Sequence, residues 1–148
     1  MKLLKKIVEK FFEQITALGG IVSITLILIF FLINSYYEKA LVLFFGIIIT
    51  YLVSIIIRLI YFKQRPQKIP YNNIVEKINA SSFPSIHSAR AIFLFIFLSN
   101  ILTSQYNKSV LAIIALLICY SRIHLKKHFT IDVIAGAILG FFTAYLVV

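Results

Sequence analysis

Apolar residues gather in five runs, Ala17–Tyr36, Ala40–Phe62, Pro84–Thr103, Tyr106–Ser121 and Phe129–Val148, separated by polar stretches. A hydrocarbon core of about 30 Å takes roughly 20 helical residues to cross, so each run predicts a membrane-spanning helix. The fourth run is short and is expected to tilt little or to thin the bilayer locally. Ahead of them, Leu3, Leu4, Ile7, Val8, Phe11, Phe12 and Ile15 recur at steps of three and four with Lys and Glu between, which predicts an amphipathic helix. That segment has no uninterrupted apolar centre and no small-residue cleavage site, so it reads as an interfacial helix rather than a signal peptide. The turns over 34–39 and 104–108 are brief, which makes the helices they join antiparallel neighbours. The connection over 63–83 is longer and polar, carries Pro66, Pro70, Asn72 and Asn73, and has room for one amphipathic turn around Ile74–Ile78. The expected fold class is all-α, an integral membrane bundle of about five transmembrane helices. It is expected to be one membrane-embedded domain over 1–148, with the amphipathic helix over 1–16 and the bundle over 17–148.

Composition agrees with a lipid solvent. Of the 148 residues 61% are hydrophobic and the mean hydropathy is +0.98, against an apolar share of roughly 45–50% in soluble domains. The formal net charge is +10. The basic residues flank apolar runs instead of forming a polar domain, which points to anionic lipid and phosphate and away from nucleic acid. The one cysteine, Cys119, lies inside an apolar run and can form no intramolecular disulfide.

Charge beside hydrocarbon is costly and marks a functional site. By the count of crossings, the end of the second run (Arg58 to Pro66), the start of the third (Pro84 to Arg90), the end of the fourth (Ser121, Arg122) and the start of the fifth (His128 to Asp132) share one membrane face. Arg58, Arg65, Ser85, His87, Arg122, His128 and Asp132 therefore converge at one mouth of the bundle. Arg58 and Arg65 are seven apart, two turns of one helix, and can grip one phosphate before Pro66 ends or bends that helix. In SSFPSIHSAR, Ser81 or Ser82 is placed to cap a helix and Pro84 suits its first turn. The backbone N–H groups of Ser85, Ile86 and His87 then form a second anion cradle. His128 and Asp132 are four apart on one helix face, so the carboxylate is expected to hold one imidazole nitrogen protonated and aim the other outward as nucleophile or base. Two histidines among three arginines suit phosphoryl transfer through a covalent phosphohistidine, a scheme that calls for no metal and no cofactor.

The same residues carry a family pattern. RLIYFKQRP from Arg58 to Pro66, PSIH from Pro84 to His87 and SRIHLKKHFTID from Ser121 to Asp132 resemble three ordered blocks of the type 2 phosphatidic acid phosphatase superfamily: Lys-x6-Arg-Pro, Pro-Ser-Gly-His and Ser-Arg-x5-His-x3-Asp. These are membrane lipid phosphatases related to vanadium haloperoxidases, and the resemblance runs from about Ala40 to the C-terminus. It implies that His128 attacks phosphorus, that Asp132 orients it, and that His87 protonates the leaving oxygen and then activates water. It also implies that Arg58, Arg65, Ser85 and Arg122 bind the phosphate oxygens with the amides of Ile86 and His87. Two positions depart from the pattern. Arg58 stands where the family usually has Lys, with Lys63 a nearby substitute, and Ile86 stands where it has Gly, which narrows the approach.

The function this implies is a phosphoric monoester hydrolase of the membrane, acting on phosphatidic acid, phosphatidylglycerophosphate or a lipid A phosphate. Nothing in the motif reads the leaving group, so undecaprenyl or another isoprenoid diphosphate stands as an alternative. A metal-binding transporter is a second alternative, since a continuous fourth and fifth helix would align His124, His128 and Asp132. A catalytically silent lipid-binding protein is a third. Arg90, one turn from His87, is an additional phosphate candidate; His124, Lys126 and Lys127 read as interfacial or headgroup contacts. The implied partners are the phosphorylated lipid and membrane lipids, in the cytoplasmic membrane. The face is contested: nine lysines on the site face against Lys39 and Lys108 opposite point it to the cytoplasm, whereas the resemblance points it outward, and the extracytoplasmic side is the expectation.

Overall fold

The computed structural model describes residues 2–148, with side chains from Leu3 onward. Seven helices succeed one another: α1 Lys2–Leu18, α2 Ile21–Ile33, α3 Tyr37–Ile60, α4 Ile74–Ala80, α5 Ile86–Ile101, α6 Gln105–His124 and α7 Thr130–Val147. Four stretches are long and apolar enough to cross a membrane, Leu3–Ile33, Tyr37–Ile60, Gln105–His124 and Thr130–Val147, and Ile86–Ile101 is a shorter apolar helix.

Three boundaries differ from the sequence expectation, each for a local reason. The first span breaks at Gly19 and Gly20, whose amides turn back onto the Thr16 and Ala17 carbonyls at 3.2 and 2.8 Å; two adjacent glycines hold a helix poorly. This leaves α2 with 13 residues, about 20 Å of helix. The fourth span is not short, because α6 continues through Arg122 and His124 to 20 residues, with basic side chains where the helix dipole favours them. The third span is the one that falls short, because α5 has 16 residues.

Helix α5 sits at the centre, packed against α7, α6 and α3. Phe93 and Phe97 stack with ring centroids 6.1 Å apart in a core with Phe31, Leu43, Ile47 and Ala144. Gly136 and Gly140, four apart on α7, let its backbone rest on the Ser85 and Ala89 carbonyls of α5, where any Cβ would overlap them. Small residues at that spacing are a common device for close helix approach in membranes. The Ser85 amide donates to the Asp132 carbonyl at 2.9 Å, so the start of α5 is held to the start of α7.

The apolar stripe of α1 is divided. Ile15 joins Ala91, Ala115 and Ile118 in a second core cluster, and Phe12 lies 5.5 Å from the Tyr120 ring and 4.3 Å from that of His124. Leu3, Leu4, Ile7 and Phe11 stay exposed, a face suited to the lipid interface. At the other side of the bundle mouth, α4 begins as expected at Ile74. Asn73 accepts from the Glu76 amide at 2.8 Å, and the Glu76 carboxylate accepts from the Asn72 amide at 2.6 Å.

Candidate active site

Helix α3 ends at Ile60, so Arg58 and Arg65 do not share a helix. Residues 61–65 leave the helix and lie beside 81–82: Gln64 bridges Ser81 and the Ser82 amide donates to the Lys63 carbonyl at 2.7 Å. The two arginines nevertheless reach one cavity. Arg58 is held by the Ile78 and Pro84 carbonyls at 3.1 and 2.8 Å, and Arg65 by the Asn79 carbonyl at 2.7 Å.

That cavity measures about 650 Å³ and its polar lining includes Arg58, Arg65, Arg90, Arg122, His87 and His128, with Ile86 beside them. Ile21, Ile47, Ile48, Leu52 and Tyr51 line it too. No carboxylate lines it among the described residues. Arg58, Arg65, Arg90 and Arg122 each keep a buried Nε with no hydrogen-bond partner. Four such nitrogens around one space, with no counter-charge on the walls, fit a polyanionic ligand and little else.

His128 lies in the connection between α6 and α7 and is 2% exposed. Its amide and that of Lys127 both bond the Arg122 carbonyl at 3.1 Å, in a turn that Lys126 closes with a φ of 54°. The sequence expectation that Asp132 holds this imidazole is corrected by the structure. Nδ1 lies 2.7 Å from the Ser82 carbonyl. A carbonyl only accepts, so Nδ1 carries the proton and the lone pair sits on Nε2. Burial, with Arg122 and Arg65 nearby, pushes the His128 pKa down to about 3, which keeps that lone pair available throughout the physiological range.

Asp132 has other work. It is fully buried; its Oδ1 pairs with Lys63 Nζ at 2.6 Å and its Oδ2 accepts from the Phe129 amide at 2.9 Å, closing the first turn of α7. Lys63, an additional phosphate candidate by sequence, is thereby turned from the cavity and lies over the Phe129 ring at 4.7 Å. Ser85 is corrected too. It, rather than Ser81 or Ser82, caps α5; its hydroxyl accepts from Ser88 Oγ at 2.9 Å and does not line the cavity. The amides of Ile86 and His87 precede the first helical bond of α5, from Ala89 to Ser85, and remain the helix's free donors. The stripe of His124, His128 and Asp132 does not form, because α6 stops at His124 and that ring packs on Phe12.

Two participants carried no sequence signal. Thr16, in the last turn of α1, accepts from Arg122 Nη1 at 2.8 Å, so the amphipathic helix fixes a guanidinium of the cavity. The Ser82 carbonyl that orients His128 is backbone, which no residue pattern marks.

Residues 39–148 match the sequence profile of the PAP2 superfamily. No curated protein sequence matches the chain. Among solved structures it is similar to Aquifex aeolicus LpxE, with a TM-score of 0.78 and 27% identity over 95% of this chain and 84% of that one. It is also similar to the transmembrane PAP2-type phosphatidylglycerolphosphate phosphatase of Bacillus subtilis, with a TM-score of 0.76 and 21% identity over 95% of this chain and 74% of that one. With its apolar helices and these neighbours, the protein is an integral membrane protein. The profile match takes in every residue of the cavity's polar lining, and the chain belongs to the PAP2 superfamily.

Proposed function

We propose that the protein is a membrane lipid phosphatase that releases phosphate from a phosphorylated lipid through a phosphohistidine on His128. The observation that carries this is a histidine with its lone pair fixed on Nε2, facing a cavity ringed by four guanidiniums and free of carboxylates. In the first step Nε2 forms a bond to phosphorus as the bond to the lipid oxygen breaks. His87, which also lines the cavity, gives that oxygen its proton. In the second step His87 takes a proton from water, the water oxygen bonds to phosphorus, and the P–N bond breaks to free His128 and inorganic phosphate. Arg58, Arg65 and Arg122, with the Ile86 and His87 amides, neutralise the charge on the three equatorial oxygens in both steps. The apolar lining that α2 and α3 contribute takes the start of the lipid chain. Membership of the PAP2 superfamily and the fold shared with a phosphatidylglycerolphosphate phosphatase support the reading.

The test is phosphate release by the purified protein from phosphatidic acid, phosphatidylglycerophosphate, an isoprenoid diphosphate and lipid A, presented in mixed micelles. Release from at least one, lost in Arg122→Gln, is the expected result. No release from any of them, by protein shown to be folded, contradicts the reading.

Protonation gives a separate expectation. With its pKa lowered to about 3, His128 stays neutral in the free protein as pH falls through the ordinary histidine range near 6.5, and becomes protonated only near pH 3. Imidazole ¹⁵N shifts of His128, assigned by comparison with His128→Asn, should therefore stay constant from about pH 8 to about pH 5. A midpoint near the unperturbed value would show that burial and the guanidiniums do not act on this ring.

A further inference from the structure

Arg58, Arg65 and Arg122, with the two α5 amides, already supply donors for the three free oxygens of a phosphate monoester. Arg90 is a fourth guanidinium, and its place is different. It lies on α5 one turn beyond His87, roughly 4.5 Å further along the helix axis, and lines the same cavity as His87, Tyr51 and Ile48. It is 6% exposed, so it does not snorkel to water as a lone membrane arginine would. Its Nε has no partner, and no carboxylate lines the cavity beside it. A buried cation without a counter-ion destabilises a fold, so its presence at this point calls for an anion from the ligand.

The order of residues on α5 says which anion. In the proposed reaction His128 and the three arginines hold the scissile phosphorus and His87 meets the leaving oxygen, and the next charged residue of α5 after His87 is Arg90. We propose that Arg90 binds a second phosphoryl group on the lipid side of the scissile phosphate, so that lipids carrying two phosphoryl groups are the preferred substrates. The shared chemistry is an anionic phosphoryl oxygen within reach of the leaving oxygen, supplied by a diphosphate or by a phosphodiester across a glycerol spacer. This inference rests on the phosphatase reading above and deepens it.

The experiment compares kcat/KM for three lipids with the same acyl chains: phosphatidic acid, diacylglycerol diphosphate and phosphatidylglycerophosphate. The variants are Arg90→Leu, Arg90→Gln and Arg90→Lys. A charge-assisted hydrogen bond lost from one substrate and absent in another is expected to lower the selectivity for at least one two-phosphoryl lipid over phosphatidic acid by about tenfold or more in the Leu and Gln variants. The Lys variant should retain part of it. Loss on the diphosphate alone places the second phosphoryl next to the leaving oxygen, and loss on phosphatidylglycerophosphate places it across the spacer. Should Arg90→Leu fail to fold, the Gln and Lys variants carry the comparison. An equal fall on all three lipids assigns Arg90 to the scissile phosphate and overturns the inference, as does no fall on any. Wild-type protein inert toward all three sinks the phosphatase reading itself, an outcome distinct from a flat selectivity ratio.

Discussion

Replacing His128 with alanine is expected to remove phosphate release by about a thousandfold or more while leaving the helices assembled. The side chain contributes one hydrogen bond to the fold, to the Ser82 carbonyl at 2.7 Å, and the neighbouring turn is held separately by the Arg122 carbonyl. The loss should therefore fall on turnover rather than on folding. His128→Gln keeps a donor for Ser82 and supplies no nucleophile, so it should be equally inactive and unfold close to the wild-type temperature. Turnover within tenfold of wild type in both variants would remove His128 from the chemistry.

Replacing Lys63 with methionine should destabilise the protein by about 2 kcal/mol or more, because it strips a fully buried carboxylate of its salt-bridge partner. A completely buried pair would cost more; Lys63 keeps a quarter of its side chain exposed, which moderates the effect. The reverse change is milder. Asp132→Asn retains an oxygen to accept from the Phe129 amide, and the lysine left behind can turn to water. The double variant, Lys63→Met with Asp132→Asn, should recover much of what the single lysine change loses. Thermal unfolding in detergent measures all three. A Lys63→Met variant as stable as wild type would mean that the 2.6 Å contact does not govern the start of α7.

Much of the bundle was legible because its cause is local. Apolar length marks α3, α6 and α7, and the three- and four-residue steps mark α1. The convergence of Arg58, Arg65, His87, Arg122 and His128 followed from counting crossings, which needs no tertiary detail. What stayed hidden depends on partners far apart in the chain. Asp132 and His128 are at helical spacing, yet only five residues separate the end of α6 from the start of α7. His128 therefore lies ahead of the helix that holds Asp132, and each finds a partner in the 63–82 connection instead. The capping role of Ser85 stayed hidden because a hydroxyl next to a helix start has two uses, and here it accepts from the Ser88 amide and hydroxyl. Gly136 and Gly140 went unread, because only the α5 backbone against them shows why neither tolerates a side chain. The contact of Thr16 with Arg122 spans 106 positions, beyond the reach of any periodic pattern.

The most direct measurement is rapid quench of the purified protein with lipid labelled in its terminal phosphoryl group, followed by mapping of the label. The expected result is a phosphoenzyme stable in base and labile in acid, on the peptide containing residue 128, and absent from His128→Ala. Steady turnover with no label on the protein at any quench time, or label on another residue, would contradict a phosphohistidine at His128.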